Sequence, residues 1–370
     1  MSRRGARLTD AQRLDWLRLI RTENVGPRTF RALINQFGGA TAALDALPAL
    51  ARRGGGSTPP RIPSRTEAED ESAALARMGG RFVVTSDADY PPALRHLDDA
   101  PPVICVRGSA ALLAAPKIAI VGARNASAAG RTMAARLARD LAAAGYVIVS
   151  GLARGIDAAA HAASLDAGTI GVFAGGLARP YPPENIGLIE EMAEKGAVLS
   201  EMPLLWEPRA RDFPRRNRLV SGMSLGVVVV EAAERSGSLI TARLAAEQGR
   251  EVFAVPGSPL DPRAGGTNRL LKTGAGFVTE ADDVIEALAP LLAHPRPDDV
   301  EAPVSPRDAA DPPSDTARAR IVELLGPVPS SLDELVRLSG SSASEVQIVL
   351  LELDLAGRLE RQAGGKVALR

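Results

Sequence analysis

From residue 117 onward, short apolar runs alternate with stretches of helical length. The runs are 117–121 (KIAIV), 146–150 (YVIVS), 169–173 (TIGVF), 197–201 (AVLSE), 225–230 (LGVVVV) and 251–255 (EVFAV). Such runs are expected of strands buried on both faces. Ala- and Leu-rich stretches such as 131–145 and 239–249 separate most of them. Strand–helix alternation of this kind predicts a parallel sheet with right-handed crossovers. A further unit, FVTEADDVIEAL, closes this domain near residue 290.

The flanks read differently. Residues 8–47 place Leu14, Leu17, Leu19 and Ile20, then Phe30, Leu33, Ile34 and Phe37, at helical spacing around a turn, Asn24 to Arg28. The stretch VGPRTFRALINQFG resembles a helix-hairpin-helix, an element that can hold DNA phosphate on backbone N–H groups; a small helical cap is the favoured reading, because short Gly-containing turns are permissive. Residues 51–66 are Gly- and Pro-rich and read as a loop. A helix over 67–78 and strands at 81–85 and 103–108 follow, and Pro91, Pro92, Pro101 and Pro102 speak against regular structure between those strands. Residues 291–314, rich in Pro and Asp, read as a flexible linker. Helices over about 316–325, from Ser330 or Ser331, and from near Ser342 precede a short strand pair, which is the winged-helix order. The domains predicted are 1–66 (a helical, helix-hairpin-helix or SAM-like domain and linker), 67–290 (an extended Rossmann-type DNA-binding domain), 291–314 (a flexible linker) and 315–370 (a winged helix).

Composition narrows the function. Apolar residues make up 45% and charged residues 24%, as in a soluble globular protein. No run of about 18 apolar residues exists, so no membrane span is expected, and the start lacks the apolar core of a signal peptide. One cysteine, Cys105, fits a reducing, cytoplasmic setting. With only His96, His161 and His294 besides, no metal site is expected. The 44 basic and 44 acidic residues cancel, so any nucleic-acid binding must come from a local cluster. Aromatics at 3% exclude a broad stacking platform.

Ligands of open parallel sheets bind at the carboxyl ends of the strands. There the chain places Gly122-Ala123-Arg124-Asn125-Ala126-Ser127, Gly151-Leu152-Ala153-Arg154-Gly155, Gly175-Gly176, and Ser236-Gly237-Ser238. Glycine admits backbone N–H groups to an anion and each following helix presents its positive end. Arg124 and Arg154 add fork-shaped donors suited to phosphate. Bare tight turns are the plain alternative, weakened by four such loops on one edge. The segment 208–219 (PRARDFPRRNRL) adds Arg215, Arg216, Asn217 and Arg218, with Phe213 for one stacked base. No G-x-G-x-x-G, ribose-binding acid or P-loop exists, so no cofactor is expected. Asp157 and His161, four apart at a helix start, fit a cap and helix pair better than an acid–base or metal site.

The motifs AIVGARNAS, VSGLARGIDAAAH, GGLARPYPPEN, VLSEMP, FPRRNRLVSGMS, VVVVEAAERSGSLITA and EVFAVPG occur in order over about residues 85–280. Together they resemble the DNA-processing protein DprA (Smf) family. The resemblance implies an α/β fold, an extended Rossmann-type parallel sheet with a small helical N-terminal domain and a C-terminal winged-helix domain. It implies single-stranded DNA binding, RecA loading during natural transformation, and homodimers formed through the Rossmann domain. It also implies that Gly122, Arg124, Gly151, Arg154, Gly155, Arg216, Arg218, Ser236, Gly237 and Ser238 line the DNA pocket. Ala123 stands where many members carry Ser.

The competing class is an enzyme, a nucleotide phosphoribohydrolase with the pattern P-G-G-x-G-T-x-x-E. The nearest stretches here are Pro256-Gly257-Ser258 and Gly265-Gly266-Thr267-Asn268-Arg269-Leu270, and the catalytic Glu is missing. No catalytic residue is expected. The third helix of the winged helix lacks Arg and Lys and carries Glu345, Glu352 and Asp354, so a protein-contact or spacing role is expected for that domain.

Overall fold

The computed structural model of the chain describes residues 8–293 and 313–370. Most of the expected linker, 294–312, lies outside them. Helix α1 (Asp10–Arg21) starts at Thr9, whose side chain forms a reciprocal cap with Gln12. Helix α2 (Pro27–Phe37) starts on Pro27, whose fixed φ suits a first helical position, and stops at Gly38 in the left-handed region. A third helix, α3 (Ala40–Arg53), extends past Pro48 and into the stretch expected to be loop. Leu44, Leu47, Leu50 and Ala51 bury one of its faces, and this packing outweighs the loop-forming tendency of the glycines that follow.

Helix α4 (Arg65–Arg77) leads into β1 (Gly80–Val84). The proline-rich connection to β2 (Val103–Gly108) is not irregular throughout: α5 (Pro92–Arg95) is a short helix with Pro at its start, where the missing N–H costs nothing. The Tyr90 hydroxyl, fully buried, donates to the Pro101 carbonyl at 2.9 Å and fixes this connection. After α6 (Ala111–Ala114) come β3 (Lys117–Val121), α7 (Ala128–Ala143), β4 (Val147–Ser150), α8 (Ile156–Ser164) and β5 (Thr169–Val172). Then follow α9 (Ile186–Lys195), β6 (Ala197–Ser200), α10 (Asp212–Gly222), β7 (Gly226–Val229) and α11 (Ser238–Glu247). The sheet ends with β8 (Glu251–Ala254), α12 (Gly265–Lys272), β9 (Gly276–Phe277) and α13 (Ala281–Ala293).

The nine strands lie in the order β1-β2-β6-β5-β4-β3-β7-β8-β9. From β6 to β9 all pairs are parallel, while β1–β2 and β2–β6 are antiparallel. This is the α/β, Rossmann-type sheet the pattern predicted, extended by two antiparallel strands. Successive residues of β3 face opposite cores. Ala119 and Val121 pack with Leu219, Val220 and Ala242, while Ile118 and Ile120 pack with Leu137, Leu141 and Val284. The chain moves outward from β3 through β6, then returns to β3's other side as β7. The strand order therefore reverses between β3 and β7, and a crevice opens at their carboxyl ends.

The C-terminal segment forms α14 (Asp315–Leu324), α15 (Leu332–Ser339) and α16 (Ala343–Leu355), then the hairpin β10 (Leu359–Arg361) and β11 (Val367–Leu369). Ser314, Ser331 and Ser342 cap the three helices through their hydroxyls. Among the described residues, 71–293 form one compact unit, and 8–70 together with 313–370 form another.

Candidate nucleic-acid interface

The loop after β3 is closed from below. Gly122 allows it to lie against Ile156 and the Glu231 carbonyl, where a Cβ would collide. Ser127 caps α7, its oxygen accepting the Gly130 N–H at 2.8 Å. Its own N–H donates to the Glu231 carboxylate at 2.9 Å, and its hydroxyl donates to the same group. Gly130 leaves the room that this carboxylate occupies. The positive end of α7, where a Rossmann sheet commonly takes a phosphate, is thus satisfied by the chain's own Glu231.

The loop after β4 is held by three buried polar groups. Asp157 accepts the N–H groups of Gly151 (3.0 Å) and Ala153 (3.2 Å). Asn185 donates to the carbonyls of Leu152 (2.9 Å) and Ala153 (3.2 Å). Arg216 donates to the carbonyls of Gly151 and Val172, and its guanidinium lies where a Gly151 side chain would be. So held, Leu152 takes a left-handed φ of 62°, unusual for its type. Gly155, at φ 79°, passes close to the Ala123 and Arg124 carbonyls.

The two residues at the start of α8 go separate ways. Burial pushes the Asp157 carboxyl up, against the opposing pull of Arg216. His161 is wholly buried and meets the Thr169 hydroxyl through Nδ1 at 2.8 Å. That hydroxyl gives its proton to the Ile148 carbonyl, so Nδ1 carries the imidazole proton. Burial, then Arg216, pushes His161 down to about 3. It is neutral at physiological pH and has no access to solvent.

The arginines of 208–219 divide into two groups. Arg216 and Arg218 are buried. Arg218 donates to the Asp99 carbonyl at 2.7 Å and pairs with Glu201. Glu201, itself buried, also takes Arg215 at 2.9 Å, whose side chain is 45% exposed. Burial, then repulsion from Arg124, pulls Arg216 down to about 10, opposed by Asp157; it stays charged at neutral pH. Arg209 and Arg211 are exposed. Asp212 holds their turn by accepting the Arg209 N–H (2.8 Å) and the Trp206 indole N–H (2.9 Å), and the Arg209 guanidinium lies 5.0 Å over the Trp206 ring. Asn217, half-buried, accepts from Arg216 at 3.1 Å.

Arg124, exposed, lies 5.3 Å over the ring of Phe213. Phe213 meets Tyr181 edge to face at 5.9 Å, and Tyr181 is 49% exposed. Arg154, also exposed, faces Glu184 at 3.4 Å, three residues on from Tyr181. One rim therefore carries Arg124, Phe213, Tyr181 and Arg154. Gly175 and Gly176 are buried beneath it. The Gly176 N–H donates to the Trp206 carbonyl at 2.9 Å, and both glycines admit the 203–208 segment. Beyond β7, Gly237 is exposed, and the hydroxyls of Ser236 and Ser238 lie 2.8 Å apart at the start of α11. Among the described residues no group of three or more His, Cys, Asp or Glu could hold a metal, and no helix is long and apolar enough to cross a membrane.

The family described as DNA recombination-mediator protein A matches residues 81–289, a DprA-like N-terminal HHH domain matches 10–74, and a DprA winged helix domain matches 305–365. The chain belongs to the DprA/Smf family. It is 47% identical to the DNA processing protein DprA of Bacillus subtilis over 219 residues, 58% of this chain and 74% of that one. It is 41% identical to the protein Smf of Escherichia coli over 307 residues, 81% of each. The X-ray structure of DprA from Streptococcus pneumoniae superposes with a TM-score of 0.62 at 33% identity, covering 76% of this chain and 98% of that one. A structure concerned with the single-stranded DNA binding mode of Helicobacter pylori DprA superposes with a TM-score of 0.52 at 34% identity, covering 56% and 96%. In this family member, four residues that shape the rim were not singled out from the pattern for these parts: Tyr181, Asn185, Glu201 and Glu231. The signal for the two acids was a carboxylate at the end of a buried strand. Tyr181 and Asn185 lay within a quoted motif, but only their neighbours in space reveal what they do.

Proposed function

We propose that this chain binds single-stranded DNA along the carboxyl edge of its sheet and acts as a recombination mediator without catalysing a reaction. The observation that carries the reading is the rim array of exposed Arg124 and Tyr181 on either side of half-buried Phe213. A guanidinium over a half-buried ring, with an exposed ring beside it, offers a phosphate donor next to an aromatic surface on which a base stacks, the combination a single strand needs. Arg154, Arg209, Arg211 and Arg215 extend the donors, with the Gly237 N–H and the hydroxyls of Ser236 and Ser238 beyond. Gly122, Ser127, Gly151, Gly155, Gly175, Gly176, Arg216, Asn217 and Arg218 contribute by fixing the loops. The single-strand binding named for the Helicobacter pylori relative supports the same reading. The finer role is delivery of the strand to RecA during DNA uptake, by a homodimer joined through the Rossmann domain, in the cytoplasm. Against an enzyme stand the missing catalytic Glu and the α7 terminus filled by Glu231.

Binding of labelled single-stranded and duplex oligonucleotides tests the site. Phe213→Ala with Arg124→Ala should lower single-strand affinity at least tenfold while the protein stays folded. Unchanged affinity would remove the site. RecA assembly on single strands, with and without the wild-type chain, tests the delivery role.

A further inference from the structure

Helix α16 is the position of the groove-reading helix in a winged helix. Eight of its thirteen residues are buried, on more than one side. Val346, Val349, Leu350 and Leu353 face the winged helix's own core with Ile321, Leu335 and Leu359. Leu351 and Leu355, spaced one turn apart, point elsewhere. They join Leu33, Leu47, Leu50 and Ala51 of the N-terminal helices in one cluster. A helix with buried apolar residues on two faces needs two partners.

Polar contacts complete the junction. The Asn24 side chain, in the turn between α1 and α2, donates to the Leu355 carbonyl at 3.2 Å, and the Thr29 hydroxyl donates to Asp354 at 3.2 Å. Arg358 donates to the Gly54 carbonyl at 3.0 Å. A side chain at Gly54 would collide with the Glu352 carbonyl, so the two backbones approach as closely as glycine permits. The acids of α16 are absorbed too: Glu352, fully buried, takes Arg318 at 2.7 and 3.2 Å, and Asp354 takes Arg361 at 2.8 Å. Buried leucines, a glycine-dependent approach and capped carbonyls are features of a core rather than of a passing encounter.

We propose that α16 is the intrachain ligand of the N-terminal helices, so that the two ends of the chain form one module and the helix is withheld from DNA. The α1–α2 hairpin and the winged helix's third helix, the two elements whose fold types commonly meet DNA, cover one another. Docking within one chain proceeds at a high effective concentration, which keeps the module closed.

A disulfide tests this in the full chain, with Cys105→Ala removing the native thiol. Thr29→Cys with Asp354→Cys should oxidise to a monomer that migrates faster without reductant, while either single variant does not. Single-strand affinity of the closed form should stay within about threefold of the reduced form. Disulfide-linked dimers, or no disulfide, would overturn the intrachain pairing. A tenfold loss of affinity on closure would overturn the withheld state. Leu355→Asp gives a second readout: amide exchange should rise in 27–53 and in 343–355 together, and a rise confined to 343–355 would count against one module. The disulfide and amide-exchange readouts do not depend on the Arg124–Phe213 rim, so the intrachain pairing and the rim fail separately.

Discussion

Arg124 and Arg216 carry the same charge and do different work. Arg216 is buried, with its donors spent on the Gly151 and Val172 carbonyls and its charge balanced by Asp157. Its removal takes the donor from two carbonyls and leaves the buried Asp157 carboxylate without its balancing charge, held by the Gly151 and Ala153 N–H groups. Arg216→Ala should therefore destabilise the protein by about 3–5 kcal/mol in chemical denaturation. Arg124→Ala should leave the denaturation midpoint in place and weaken single-strand binding about tenfold, the size of one charged contact. Residue type was readable from the sequence, since a dense Arg segment marked the right region. Burial was not, because it depends on Glu201, Asp157 and Asn185, which come from other parts of the chain. Lys117 shows the same limit. Burial at the start of β3 pulls its amine down to about 7, with its ammonium nitrogen 2.5 Å from the Ala115 carbonyl. Between about pH 7 and 10.5 the unfolded chain holds a proton there that the folded chain lacks, so this group makes stability rise with pH across that window. Below it both states are protonated and the burial cost is fully present. Lys117→Met should flatten the rise in denaturation curves taken between pH 7 and 10; an unchanged slope would show that the amine is not desolvated.

The element that decides the geometry of the rim is the loop after β4. Its five residues include two with positive φ, Leu152 and Gly155, and are held by Asp157 within the following helix and by Asn185 and Arg216 from distant segments. Asn185→Ala removes two buried hydrogen bonds and should cost about 1–3 kcal/mol. The more telling measurement is amide exchange, which should quicken at 151–155 ahead of the rest of the sheet, with a several-fold loss of single-strand affinity. Exchange unchanged at those amides would mean the other two groups hold the loop alone. Strands from β3 to β8 were legible because burial on both faces writes an uninterrupted apolar run. The places of β1 and β2 were not: antiparallel pairing to β6 joins segments about ninety residues apart, and no local pattern encodes it. In α16 the helical spacing of Val346, Val349, Leu350 and Leu353 marks the face that packs on the winged helix's own core. Leu351 and Leu355 fall off that face, and no local pattern names the partner they pack against.

At the scale of the whole molecule the charges cancel, 44 basic against 44 acidic residues. Long-range attraction to a polyanion is therefore weak, and affinity must come from local phosphate contacts. The exposed donors along the rim and the 208–219 segment are Arg124, Arg154, Arg209, Arg211 and Arg215. Each phosphate neutralised on a single strand contributes about −0.7 to the slope of log affinity against log salt, so five give about −3.5. Replacing Arg124, Arg209 and Arg211 by Ala should bring the slope to about −1.4 and weaken all sequences alike, because phosphate contacts carry no base information. Neutralising an exposed arginine away from this edge, such as Arg136 on α7, should leave the slope unchanged although it alters net charge as much as any one rim substitution. If the Arg136 variant flattened the slope as much as a single rim substitution, binding would follow bulk charge and the rim would lose its claim. A slope that stays near −3.5 in the triple variant would move the phosphate path to another face of the molecule.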